Sequence, residues 1–169
     1  MNRQSALAAK VATLILPLVS LFAGNADAQD AISLVGTWTV VATDTVDAAG
    51  KRYPTFGPSP RGSLIFASNG RYSITFARAS LPKFAAGNRE QGTPDENKAI
   101  VAGSVSHFGT YTVDEKDSTF TFHVEASTYP NWDGTSQKRR FTVSGDELKY
   151  TVLAASGGGS SDIVWKRVK

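Results

Sequence analysis

The sequence predicts an all-β domain of eight antiparallel strands running up and down, with one short helix in a long loop. Three observations carry this. Runs of apolar–polar alternation recur along the chain, and most are joined by short turns rich in Gly, Asn, Asp and Ser. Helical patterns do not alternate with these runs, which argues against a parallel βαβ sheet. The 169 residues, 41% hydrophobic and 20% charged, supply one core and too much apolar material for wholesale disorder.

The chain opens with an address. Arg3 and Lys10 precede the uncharged, mostly apolar run Val11 to Ala23, and Ala26-Asp27-Ala28 places small residues where a signal peptidase reads. That run is short for a bilayer span, which needs ~20 residues, and Pro17 lies near its centre. Residues 1–28 therefore read as a secretory signal peptide and residues 29–169 as the mature domain. Periplasmic or secreted localisation is expected, with no stable membrane insertion after cleavage.

Leu34 to Val46 alternates, with Leu34, Gly36, Trp38 and Val40 on one face and Thr37, Thr39 and Thr43 on the other. Arg61 to Ser68 and Arg71 to Ala77 flank Asn69-Gly70, a two-residue hairpin signal because a type I′ turn needs positive φ at both positions. Phe108 to Val113 and Thr119 to Ser127 flank a polar turn, and Gln137 to Val143 and Glu147 to Leu153 flank Ser144-Gly145-Asp146. Asp162 to Val168 is the eighth strand, after a Gly-rich tip. Asp47 to Pro60 is a turn-rich connection.

Ala79 to Ser106 breaks the pattern. Thr93-Pro94-Asp95-Glu96 combines an N-cap, Pro at the first helical position and Glu three residues after the cap, so a helix is expected from about Pro94 to Gly103. Asn97, Ile100, Val101, Ser104 and Val105 share a face at helical spacing, and the segment reads as a flap or lid over one end of the sheet. Eight strands in this length fold as a sandwich or as a closed barrel. Closure suits an exported chain with no cysteine, because it removes strand edges without disulfides. An eight-stranded barrel is either filled by side chains or holds one small ligand.

Composition also excludes. With no Cys there is no disulfide, zinc–thiolate site, iron–sulfur cluster or cysteine nucleophile. A net charge of +3 and no basic run longer than Lys138-Arg139-Arg140 do not indicate nucleic acid. Two His residues rule out a three-His zinc site, and neither H-E-x-x-H nor G-x-S-x-G occurs. Gly157-Gly158-Gly159 precedes no helix and so forms no phosphate loop. No metal or cofactor is indicated.

Gly36-Thr37-Trp38 opens the first strand and Trp165-Lys166-Arg167 closes the last. Between them come Phe56-Gly57-Pro58-x-Pro60-x-Gly62, Asn69-Gly70-Arg71-Tyr72, Phe108-Gly109-Thr110-Tyr111, Phe122-His123-Val124-Glu125-x-Ser127, Pro130-x-Trp132-x-Gly134, Gln137-x-Arg139-x-Phe141 and Gly145-Asp146-x-Leu148. In this order they resemble the lipocalin-like domain family of small bacterial and fungal proteins, from about Leu34 to Arg167. The resemblance implies a closed lipocalin-like barrel in which Arg167 packs over Trp38 as a structural contact. It also matches His123, Glu125, Trp132 and Arg139 to the family's own motif.

The residues allow a site to be drawn. Phe120, Phe122, Val124 and Ala126 alternate with Thr121, His123 and Glu125. If Arg139 shares the second face and that face is lumenal, Arg139, Glu125 and His123 form a cluster able to hold an acidic or hydroxylated ligand. Alternation alone equally allows those polar groups to face solvent. Tyr111 and Tyr72 are candidate cavity walls and Trp132 a candidate rim residue; strand Tyr is also common core material. The expected function is binding of a small hydrophobic or amphipathic molecule in the barrel. One alternative is an isomerase or cyclase using His123, Glu125 and Arg139 for acid–base work. Another is a filled barrel acting as a structural or protein-interaction module.

Overall fold

The computed structural model describes residues 34–169. The expected export signal at residues 1–28 lies outside the described residues. Nine strands form one antiparallel sheet: β1 (Gly36–Val46), β2 (Arg52–Pro54), β3 (Arg61–Phe66), β4 (Arg71–Ala77), β5 (Ser104–Asp114), β6 (Thr119–Ser127), β7 (Ser136–Ser144), β8 (Glu147–Val152) and β9 (Ser160–Arg167). Neighbours pair in the order β2-β1-β3-β4-β5-β6-β7-β8-β9, and β1 also pairs with β9. That last pairing closes eight strands into an up-and-down barrel and removes the sandwich alternative. Strand β2, inside the connection read as turns, is a three-residue addition to the end of β1.

Asn69-Gly70 joins β3 to β4, with Gly70 at φ 78°. The helix α1 (Pro94–Gly103) starts where the sequence places it: the Thr93 hydroxyl accepts from the Glu96 N–H, and the Glu96 carboxylate accepts from the Thr93 N–H. Glu96 also accepts from the Ala85 N–H, so one side chain ties the helix start to the preceding loop. The shared apolar face proposed for this segment does not form. Val101 is 77% exposed, and Ser104 and Val105 belong to β5.

The core is continuous and aromatic. Trp38, Leu64, Phe66, Ile74, Phe120, Phe122, Leu148 and Trp165 are essentially fully buried. Phe120 meets Phe66, Phe122, Phe141 and Tyr150 at ring-centroid distances of 4.8 to 5.6 Å. One end of the barrel is sealed. There the Arg167 guanidinium lies 4.0 Å over the Trp38 ring and donates to the Val35 carbonyl at 2.8 Å, while the Trp38 indole N–H donates to the Leu34 carbonyl at 2.9 Å. Gly36 (φ 134°) lets the backbone turn beneath that guanidinium; a Cβ there would lie 3.0 Å from its Nη1.

Candidate functional site

Two β-bulges decide which side chains enter the barrel. In β1 the register slips between Val40 and Ala42, so Val41 is extra and exposed, and the alternation changes phase. Trp38 and Val40 point inward before the slip, Thr43 and Thr45 after it. The sequence reading, which kept one phase along this strand, put Thr43 on the outer face. In β6 the slip falls between the partners of Phe108 and Gly109, leaving Glu125 extra. Gly109 is required there, because a Cβ would collide with the His123 carbonyl oxygen.

Away from the sealed end the barrel keeps a cavity of about 60 Å³. Its walls include Phe76, Phe122 and Ile163, and its polar lining residues include His107, Gln137, Arg139 and Ser161. Trp132, on the single 3₁₀ turn Pro130–Trp132 between β6 and β7, lies edge-on to His107 at 5.4 Å. Arg139 reaches inward because it stands opposite Phe120, on the face β6 gives to the core. Its Nη2 donates to the Gln137 side-chain oxygen at 2.6 Å, and its Nη1 to the Lys138 carbonyl at 3.0 Å. Among the described residues no carboxylate pairs with it. Burial lowers its pKa, an effect opposed by the nearby hydroxyls of Tyr150 and Tyr72.

His107 is 5% exposed, and its Nδ1 lies 2.8 Å from the Tyr72 hydroxyl. Burial first, and then the Arg139 charge, push the imidazole down to about 4. It is therefore neutral at pH 7. One hydrogen bond therefore links the neutral imidazole to the Tyr72 hydroxyl, and the tautomer of the ring sets which of the two donates. The same burial raises the Tyr72 phenol. Behind the cavity-lining Ser161, the inward-turned Thr45 exchanges a 2.6 Å hydrogen bond with Thr55, which reaches Ser161 at 3.5 Å. The cavity is thus mostly apolar, with Arg139, His107, Gln137 and Ser161 among its polar lining residues.

The sequence-predicted cluster is split by the barrel wall. Arg139 and Trp132 line the cavity. His123 and Glu125 do not: their strand gives Phe120, Phe122 and Val124 to the interior, so both side chains stand outside. His123 bonds Ser136 at 2.9 Å and Thr112 at 3.3 Å, and Glu125 takes a two-pronged pair from Arg71 at 2.5 and 2.9 Å. Acid–base catalysis by His123, Glu125 and Arg139 together needs all three on one side, which this geometry rules out. Tyr111 packs edge-on against Phe66 at 4.8 Å and donates to the Ala67 carbonyl, away from the cavity. Of the segment 79–106 expected to form a lid, Val105 alone lines the cavity, and it does so from strand β5, not from a flap.

The reading missed His107. Beginning β5 at Phe108 left His107 outside any strand, whereas the pairing extends back to Ser104. The alternation His107, Gly109, Tyr111, Val113 was the available signal.

Among the described residues no group of three or more His, Asp or Glu side chains is placed to hold a metal ion, and no helix is long and apolar enough to cross a membrane. The family model described as Lipocalin-like domain matches residues 35–168. A curated relative, the 4'-hydroxy-3'-methoxypropiophenone carrier protein of Aspergillus oryzae, is 29% identical over 87 residues, which is 48% of this chain and 78% of that one. Among solved structures, a lipocalin-like protein from Bacteroides uniformis shares 13% identity at a TM-score of 0.44, over 80% of this chain and 99% of that one. The fatty-acid-binding protein 1 of Echinococcus granulosus shares 14% identity at a TM-score of 0.38, over 82% and 99%.

Proposed function

Because this chain belongs to the lipocalin-like domain family, we propose that it binds one small apolar molecule bearing a hydrogen-bond acceptor, at the unsealed end of the barrel. The observation that carries this is the convergence of two polar groups, the Arg139 guanidinium and the His107 imidazole, on a mostly apolar cavity walled by Trp132. A carbonyl or phenolic oxygen meets the Arg139 guanidinium beside His107, and a flat ring meets Trp132 and Phe122. The relative named as a carrier of an aryl ketone supports that ligand class.

The cavity of about 60 Å³ holds a few water molecules, whereas ligand sites are typically ~300–1,000 Å³. Entry therefore requires the Trp132 turn, or the Ala155–Ser156 tip beside it, to move outward. The test is calorimetric titration with 4'-hydroxy-3'-methoxypropiophenone and with a fatty acid. The ketone binds, and Arg139→Ala weakens it about tenfold. Absence of binding by either probe returns the protein to the filled-barrel alternative.

We further propose export, on the strength of residues 1–28. The protein recovered from the periplasm or medium should then begin at Gln29, as read by intact mass.

A further inference from the structure

The barrel wall is open along one seam. Strand β7 pairs with β6 from Ser136 to Arg140, and β8 pairs with β9 as far as Val152, but β7 and β8 pair only from Phe141–Tyr150 to Ser144–Glu147. Beyond Phe141 and Tyr150 the two strands part. The alternation explains how β7 tolerates this. The Phe141 N–H donates to Ser118 across the β6 side, so the Lys138 carbonyl, three residues away, faces β8. That carbonyl takes its hydrogen bond from the Arg139 guanidinium.

The seam opens onto an external groove of about 660 Å³, within the size range of small-molecule sites. Its floor is Phe141, Tyr150 and Ile163, side chains otherwise buried in the core, and Tyr150 and Ile163 also wall the inner cavity. Leu153 stands at its rim, 83% exposed. Lys138, Arg140 and Lys149 surround it. The carboxylates nearby are committed elsewhere or weakly held: Asp162 accepts from Arg52 and Thr151, Lys149 meets Glu147 at 2.6 Å, and Lys138 lies 3.9 Å from Asp117. Arg140 has no side-chain partner among the described residues. The exposed pairs are worth little and yield to a better-placed anion.

We propose that this seam is a second binding site, for an amphipathic organic anion. Its apolar part lies across Leu153 onto Phe141, Tyr150 and Ile163, and its anionic group is held by Lys138, Arg140 and Lys149. The site stands whether or not the inner cavity binds a ligand, since no side chain of the basic trio lines that cavity.

The test uses two dyes with one aromatic frame: 8-anilinonaphthalene-1-sulfonate, an anion, and the neutral N-phenyl-1-naphthylamine. The wild type binds the sulfonate, more weakly as salt is raised. The variant K138E/R140E/K149E, altered only at exposed positions and checked by circular dichroism, binds the sulfonate at least tenfold more weakly and the neutral dye within twofold. Trp132→Ala, which alters the inner cavity alone, leaves sulfonate binding within twofold. No sulfonate binding by the wild type overturns the proposal. So does equal loss of both dyes in the triple variant, or loss of the sulfonate with Trp132→Ala alone. Sedimentation of the protein with phosphatidylglycerol vesicles through these three residues, without binding of the soluble sulfonate, also overturns it in favour of a membrane surface.

Discussion

The two ends of this barrel are made from the same strands but do different work. Around Trp38 the interior is filled: Trp38, Phe66, Phe120, Leu148 and Trp165 leave almost no surface exposed, and the Arg167 guanidinium closes the end. Towards Trp132 the interior carries His107, Gln137, Arg139 and Ser161 around a cavity. Buried polar groups weaken a fold unless partnered, and a half-buried guanidinium with no carboxylate beside it adds little stability. Two indoles of one barrel thus have different roles. Trp38 is fastened by a hydrogen bond and a stacked cation, while Trp132 sits on a single 3₁₀ turn over a gap.

That contrast predicts a spread of effects. Trp38→Ala should be the most damaging change, costing about 3–5 kcal/mol by loss of a fully buried ring. Urea unfolding should show Trp132→Ala costing far less, and equal losses would break the comparison. Acid should act next. Between pH 6.5 and about 4 the unfolded chain binds a proton on His107 that the folded chain refuses. The contribution is full above pH 6.5 and disappears as pH falls to about 4, on the order of 3 kcal/mol. Unfolding followed at several pH values should show that slope in the wild type and lose it in His107→Phe.

Gly109→Ala should cost about 2 kcal/mol, because the added methyl meets the His123 carbonyl and forces the bulge to shift. Arg139→Met should raise the thermal midpoint slightly or leave it unchanged while weakening ligand binding, the signature of a group retained for function. A clear fall in the midpoint would instead place Arg139 with the structural residues. Glu125→Gln should change stability by under about 1 kcal/mol, since its pair with Arg71 is roughly half exposed.

Local chemistry was legible. The Asn69-Gly70 turn, the Thr93–Glu96 cap and the period of two in each strand follow from φ preferences and short-range hydrogen bonds, so they needed no tertiary information. The pairing of Trp38 with Arg167 followed from the family pattern. What period two could not say is which face of β6 is inside, because either assignment buries one face and wets the other. His123 and Glu125 were drawn to Arg139 on that ambiguity. The register decides it: Arg139 stands opposite Phe120, while His123 stands opposite Ser136, on the other face.

The sequence by itself determined the strand-by-strand order, the turns, the helix start and a composition that requires packing without disulfides. Each is set by a residue and its near neighbours in the chain. Barrel closure, expected from the family pattern, is met by the pairing of β1 with β9; only the tertiary structure decided that bulges at Val41 and Glu125 change the phase of the alternation, and that His107 rather than His123 stands beside Arg139. Those facts depend on registers between strands up to about 130 residues apart in sequence. Such pairings answer to the whole barrel, not to any one segment.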